Sequence, residues 1–373
     1  MVFFKKKENS VPFVIDDDFF NKFERKCANN HAHEFLNYIN YNRQNTTYAN
    51  AIRQIGRSVD FKLIPPPRKM NINKEIAGDL VCEFYAKYLP QKAKQVQQII
   101  NKTHPLFLDK TTNTYQIFIV EDATDNHSNV GNQGKNTFLT LNCNITHDTN
   151  GPRVLAHEIA HAISKHHQYR IELVKKHASN EEFIKYTSAM LGKDCIGEIE
   201  SHIVENLFNN FMLKKGLYTP EDIRQYNQEQ QDSLLFETNL ILEESDIIAN
   251  LSGPPVKKES LKNLQQTLIE NNNQTLLRRM YRMANEKQSS QFMFRYVVGR
   301  VVADAWMNKF NSANTQEQRQ MLNNFNNYLD NTHELTLDAA CKTLLDKDFV
   351  GVVQDYITKE DSKTDSAQNN VVL

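Results

Sequence analysis

The stretch Val154-Leu155-Ala156-His157-Glu158-Ile159-Ala160-His161 carries the pattern His-Glu-x-x-His inside an apolar run. At about 3.6 residues per turn, histidines four apart lie about 40° apart around a helix and one turn up, so both imidazoles can reach one metal ion. Glu158 is turned about 100° from His157, close enough to act on a water at that ion without ligating it. Around the same helix Leu155, Ile159, Ala160, Ala162 and Ile163 leave little polar surface, which predicts a buried helix. Burying a polar group without a partner costs roughly 2–7 kcal/mol in reference transfers, so two histidines and a glutamate placed there need a reason. With 12 histidines in the chain, coincidence supplies roughly a few hundredths of one such match.

Two histidines do not complete a catalytic zinc site, which takes three protein ligands and leaves a fourth position for water. Downstream, Ile196-Gly197-Glu198-Ile199-Glu200-Ser201-His202-Ile203-Val204-Glu205 reads as a helix. Ile196, Ile199, Ile203 and Leu207 share its core side, while Glu198, His202 and Glu205, at i, i+4 and i+7, share an adjoining face. Glu198 is the expected third ligand, and His202 stands either as a supporting hydrogen-bond partner or as a competing ligand. Glu200 points away from that face and is expected to be solvated or to act as a supporting carboxylate. Without the histidine pair upstream, the same helix would read as an ordinary amphipathic one.

From Val154 to His166 the chain resembles the active-site helix of the HtpX-like and CAAX-prenyl endopeptidase family of zinc metallopeptidases. These are gluzincins, whose third ligand is a glutamate on a later helix within a Glu-x-Glu-Ala-Asp type motif. The resemblance implies that His157 and His161 bind Zn2+, that Glu158 is the general base, and that Glu198 is the glutamate ligand. It also sets the strand from Asn136 to Asn142 in the place of that family's substrate-binding edge strand, to which an extended peptide adds. The likeness spans roughly residues 115–210, and His202 stands where the family has Asp. The membrane helices of its integral members and the signal peptide of its exported ones are absent, so no substrate is implied.

The implied reaction is hydrolysis of a peptide bond in a peptide or protein substrate. Zinc supplies Lewis acidity to the carbonyl and to a water, while Glu158 takes a proton from that water and passes it to the leaving amine. The oxyanion asks for one further donor. Phe294-Arg295-Tyr296-Val297-Val298-Gly299-Arg300 is the best source, with Tyr296 and Arg300 on one face and Gly299 allowing close helix contact. An amphipathic core helix with a routine surface arginine fits that stretch equally well. The rival reading is a non-catalytic, zinc-stabilised helical protein-binding module, in which His202 closes the fourth ligand position.

Outward from these motifs, the expected fold is mainly α (α+β): a helical zincin-type metallopeptidase core with a small β-sheet and a C-terminal helical region. Residues 72 to 100 have helical spacing broken at Pro90, with Ile76, Leu80, Val81, Phe84, Leu89, Val96 and Ile99 as the apolar stripe. Tyr115–Val120 and Thr137–Asn142 read as strands. The triple proline 65–67 and Gly253-Pro254-Pro255 mark boundaries. The expected pieces are an N-terminal region 1–70, the metallopeptidase core 71–215, a helical region 216–357 covering the cleft, and a disordered polar tail 358–373.

A net charge of −1 argues against a nucleic-acid partner, since binding to the phosphate backbone needs a basic excess. No run approaches the roughly 20 apolar residues of a membrane span, so no integral membrane segment is expected. Five scattered cysteines form neither a disulfide framework nor a cysteine zinc site. These features suit a cytoplasmic chain or one secreted without a cleaved signal peptide; the tail around Lys359-Glu360-Asp361 resembles those of effectors that bacteria inject into host cells.

Overall fold

Asn73, Pro90, Thr219, Asn314 and Thr336 set the starts of successive helices, and the computed structural model is predominantly helical. It describes residues 13–28, 66–101, 115–121, 129–133, 136–165, 190–251, 256–285, 290–356 and 358. Most of the tail, Gly253-Pro254-Pro255 and His166 lie outside the described residues. By its contacts the chain divides into two compact units, one of Met1–Arg57 with Leu235–Phe294, the other of Ser58–Leu234 with Arg295–Leu373. The partition differs from the sequence boundaries: the stretch 216–357 is shared between the two units. No described helix is long and apolar enough to cross a membrane.

The larger unit carries the His-Glu-x-x-His stretch. Its first helices, α2 (Lys74–Tyr88) and α3 (Pro90–Ile100) in chain order, meet at Leu89, where Pro90 ends one helix and opens the next as its first residue. The Asn73 side chain caps α2 by accepting from the Ile76 amide at 2.9 Å. Leu80, Val81, Phe84, Leu89, Val96 and Ile99 are buried as the apolar stripe requires, whereas Ile76, in the first turn, is exposed.

Three strands follow: β1 (Tyr115–Glu121), β2 (Asn129–Gln133) and β3 (Asn136–Ile145). They pair in the order β1-β3-β2, with β1 parallel and β2 antiparallel to β3. This corrects the expectation for Asn136 to Asn142. Among the described strands β2 pairs along one side of β3 and β1 along the other, so β3 is the middle strand of the sheet and not an edge strand. Next comes α4 (Asn150–Ile163), which packs against β3 and carries the motif.

Beneath α4 runs α5 (Met190–Lys214). Ile196, Ile199, Ile203, Val204, Leu207 and Phe208 on it are wholly buried, the signature of a helix surrounded by others rather than lying on a surface. Phe84 meets Phe208 and Phe211 edge-on at centroid distances of 5.4 and 5.8 Å. The next helix, α6 (Pro220–Asn250), opens with a reciprocal cap: Thr219 and Asp222 exchange backbone–side-chain bonds, the Thr219 amide donating at 2.7 Å and the Asp222 amide at 3.2 Å. Arg68 clamps the same Asp222 carboxylate with two nitrogens at 2.8 and 3.0 Å.

The smaller unit is built from α1 (Asp17–Ala28), the second half of α6, α7 (Lys258–Glu270) and α8 (Gln274–Asn285). Phe19, Phe23, Ile247, Leu261, Leu264 and Met280 are among its core. Glu244 and Arg279 form an ion pair buried in it.

Returning to the larger unit, α9 (Ser290–Ser312), α10 (Thr315–Asn331) and α11 (Leu337–Leu345) complete it, its share of α9 starting at Arg295. Trp306 of α9 is buried, stacked on Phe310 at 5.0 Å and tilted against Phe325 at 5.7 Å. Asn314 and Glu317 make a capping box for α10. Tyr328 on α10 ties to α5 by donating to the Ile196 carbonyl at 2.9 Å.

Candidate metal centre

Asp148 begins the construction of the site. Its Oδ1 accepts from the Asn150 amide at 2.9 Å, satisfying one of the open N–H groups at the start of α4. Tyr218 donates to the Thr149 carbonyl at 2.5 Å and fixes the same end. From there the helix is buried nearly all round, as its apolar spacing predicts; only Asn150, Val154 and His157 reach partial exposure. The small Ala156 admits Tyr85, whose hydroxyl donates to the Ala156 carbonyl at 3.4 Å.

The two histidine rings stand edge-to-face, 4.8 Å apart, with their Nε2 atoms 3.2 Å from one another. Glu198 Oε2 lies 3.7 Å from each of those two nitrogens. Ligands of a tetrahedral ion with bonds of about 2.0–2.1 Å stand about 3.3 Å apart, a value these three edges bracket. His157, His161 and Glu198 therefore form a group that can hold a metal ion, assembled from two helices. Glu158, on the next position around α4, is buried, and its Oε2 has no hydrogen-bond partner among the described residues.

Glu198 is held from two further sides. Its Oε1 lies 3.3 Å from Arg295 Nε, while the Ser201 hydroxyl donates to its backbone carbonyl at 3.1 Å. Gly299 of α9 sits directly against it: a Cβ at that position would fall 2.7 Å from Glu198 Cβ and 2.8–2.9 Å from its backbone carbonyl. The close helix contact expected of Gly299 is there, and its target is the candidate ligand Glu198 itself.

Behind the histidines stand two more carboxylates of α5. Glu205 Oε1 faces His157 Nδ1 at 3.6 Å, and Glu200 Oε1 faces His161 Nδ1 at 3.9 Å. Glu200 is fully buried, so the solvated alternative for it fails: every residue of α5 from Cys195 to Glu205 is buried, leaving no face there for a carboxylate to reach water. His202 donates through Nδ1 to Glu205 Oε2 at 2.7 Å, and its ring meets that of His157 edge-to-face at 5.4 Å. It stands on the Nδ1 side of His157, away from the Nε2 pair.

The electrostatics follow from four glutamates meeting where water is scarce. Burial pushes Glu158 up to about 7 against the pull of His157. Burial opposes the His157 imidazolium, but Glu205, Glu158 and Glu198 outweigh it and raise its pKa to about 9. Burial also drives Glu200 well above the usual carboxylate range. Glu205 resists the same penalty and is held well below that range by His157 and His202. Burial lowers His202, despite Glu205. A divalent cation among these groups would offset the excess negative charge and favour neutral imidazoles and an ionised Glu158.

A second group, His157, His202 and Glu205, also has three donor atoms close together. Two observations count against a cation there. The 2.7 Å His202–Glu205 contact is a hydrogen bond, shorter than the spacing between two ligands of one ion. Arg300 adds positive charge beside His202, and Arg153 Nε stands 4.0 Å from Glu205.

Tyr296 and Arg300, paired on one face in the sequence, serve different surroundings. The Tyr296 hydroxyl accepts from Arg295 Nη2 at 2.8 Å, and its ionisation is opposed by burial and by the charges of Glu198 and Glu158. Arg300 acts instead on His202 and Tyr226. Sequence reasoning missed Arg295, although it adjoins Tyr296 and lies one turn before Gly299. It also missed Arg153, one turn before His157, and Tyr226, for which no local signal exists. No protein-family model, curated protein or solved structure matches the chain, and the functional reading rests on the geometry of this centre.

Proposed function

We propose that the chain is a zinc-dependent endopeptidase that hydrolyses peptide bonds of a peptide or protein substrate, with His157, His161 and Glu198 as metal ligands and Glu158 as general base. The observation that carries this reading is the triangle of two imidazole nitrogens and one carboxylate oxygen with the buried Glu158 on the neighbouring helix position, its Oε2 without a hydrogen-bond partner among the described residues. Zinc in such a set supplies Lewis acidity to a water and to the scissile carbonyl. The protein's share is the proton transfer: Glu158, with a pKa near neutrality, accepts a proton from the attacking water and returns it to the leaving amine. Among the described residues three donors converge on one point, which supports a metal-assisted route with the fourth position left for water. A site that used zinc for structure alone would close that position with protein, whereas His202 is not among the three donors grouped there. The family resemblance of the Val154–His166 helix belongs to the same proposal.

The test compares wild type, His157→Ala and Glu158→Gln for zinc content and for cleavage of a denatured-protein substrate. Wild type should bind one zinc per chain and cleave, and His157→Ala should lose both properties. Glu158→Gln should keep the zinc and lose cleavage by about 10²-fold or more. Undiminished cleavage by Glu158→Gln would remove that residue from its role, and a wild type that refuses zinc would refute the whole reading.

A further inference from the structure

We infer that Glu205 is the positioning residue of the centre: it holds the His157 ring so that Nε2 faces His161 and Glu198. The inference rests on the metal-centre reading of those three residues. A ligating imidazole must present a lone pair on one nitrogen, so its proton belongs on the other, and a carboxylate facing that other nitrogen fixes both tautomer and ring orientation. Glu205 Oε1 faces His157 Nδ1 at 3.6 Å, opposite the Nε2 that faces Glu198.

Glu205 is itself built into place from three helices. Its Oε2 accepts from His202 Nδ1 at 2.7 Å on α5 and from the Tyr226 hydroxyl at 3.1 Å on α6. From α4, Arg153 approaches the other oxygen at 4.0 Å, with its guanidinium 4.1 Å over the Tyr226 ring. Holding a carboxylate with two donors and a nearby cation in a buried setting fixes its rotamer, so its free direction is toward His157. Glu200 faces His161 in a comparable way but from 3.9 Å. Glu205 combines the shorter approach with the larger set of partners.

The experiment uses the full chain with 15N-labelled histidine, zinc competition against a chelator of known affinity, and far-UV circular dichroism as a check on folding. In zinc-loaded wild type the His157 Nδ1 proton should be protected from exchange. In Glu205→Gln that proton should shift and exchange faster, the His161 Nδ1 proton should stay in place, and zinc should bind about 10–100-fold more weakly. Glu205→Asp, which restores a carboxylate one methylene shorter, should recover part of the affinity. Unchanged affinity and an unchanged His157 resonance in Glu205→Gln would overturn the inference while leaving the zinc site intact; a wild type that binds no zinc would overturn both. Should Glu205→Gln fail to fold, Tyr226→Phe carries the test, because removing that bond should still shift the His157 Nδ1 proton, and no shift would overturn the assignment.

Discussion

Glu198 and Glu200 differ by two positions on one helix and by their whole chemistry. Glu198 Oε2 completes a triangle with two imidazole nitrogens, whereas Glu200 lies behind His161 with a carboxyl whose pKa burial drives well above the usual carboxylate range, favouring its protonated form. A protonated carboxyl and an amide have similar shape and charge. Glu198→Ala should therefore lose stoichiometric zinc, while Glu200→Gln should retain it; metal analysis of the two purified variants checks the pair, and the reverse result would exchange their roles. Glu198 was legible from the sequence because i, i+4 and i+7 share a face. The support of Glu205 for His157 was not, since it depends on how α5 is rotated against α4.

At the scale of elements, the crossing of α9 over α5 sets the position of Glu198. Gly299 lets the two backbones approach so closely that any Cβ would meet the Glu198 backbone below 3.0 Å. Backbone cannot step aside as a flexible side chain can, so Gly299→Ala must push the helices apart. Overpacking of this kind costs typically about 1–3 kcal/mol, and because the displaced atoms belong to Glu198, zinc affinity should fall together with the melting temperature. A variant that loses stability but keeps wild-type zinc affinity would separate the helix crossing from the metal centre. The break at Pro90 and the burial stripe of α2 and α3 were readable in advance because proline chemistry and 3.6-residue spacing are local. The middle position of β3 was not, because the sequence marks strands without stating which neighbours flank them.

Across the larger unit, two measurements report on the fold as a whole. Asp222 is held below its ordinary value of 3.8, since the Arg68 guanidinium and the Thr219 donors outweigh the cost of burial. A carboxylate with a depressed folded-state pKa contributes stability that is present above about pH 3.8 and lost as pH falls through the folded value. Melting temperature followed from pH 6 to pH 2 should fall less steeply in Asp222→Asn than in wild type, starting from a lower value at pH 6; parallel curves would exclude Asp222 as a contributor. Trp306 is the only tryptophan of the chain and lies in the core of the unit that holds His157, His161 and Glu198. A ligand present at 1,000 times its Kd stabilises by about 4.1 kcal/mol, on the order of 10 °C for a unit of this size. Chelation should therefore lower the thermal midpoint read by Trp306 fluorescence, and an unmoved midpoint would mean that no ion stabilises this unit.

The sequence by itself determined what lies within one helix: the two histidines one turn apart, Glu158 beside them, the apolar jacket of α4, and Glu198 on a face it shares with His202 and Glu205. Those relations follow from a helical period that no tertiary contact alters. Only the tertiary structure decided which carboxylate faces which nitrogen, that Arg295 approaches Glu198, that Tyr226 bonds Glu205, and that residues 216–357 divide between two units. Those facts depend on the rotation and closest approach of helices far apart in the chain, where a glycine at one crossing sets distances that no spacing along the sequence records.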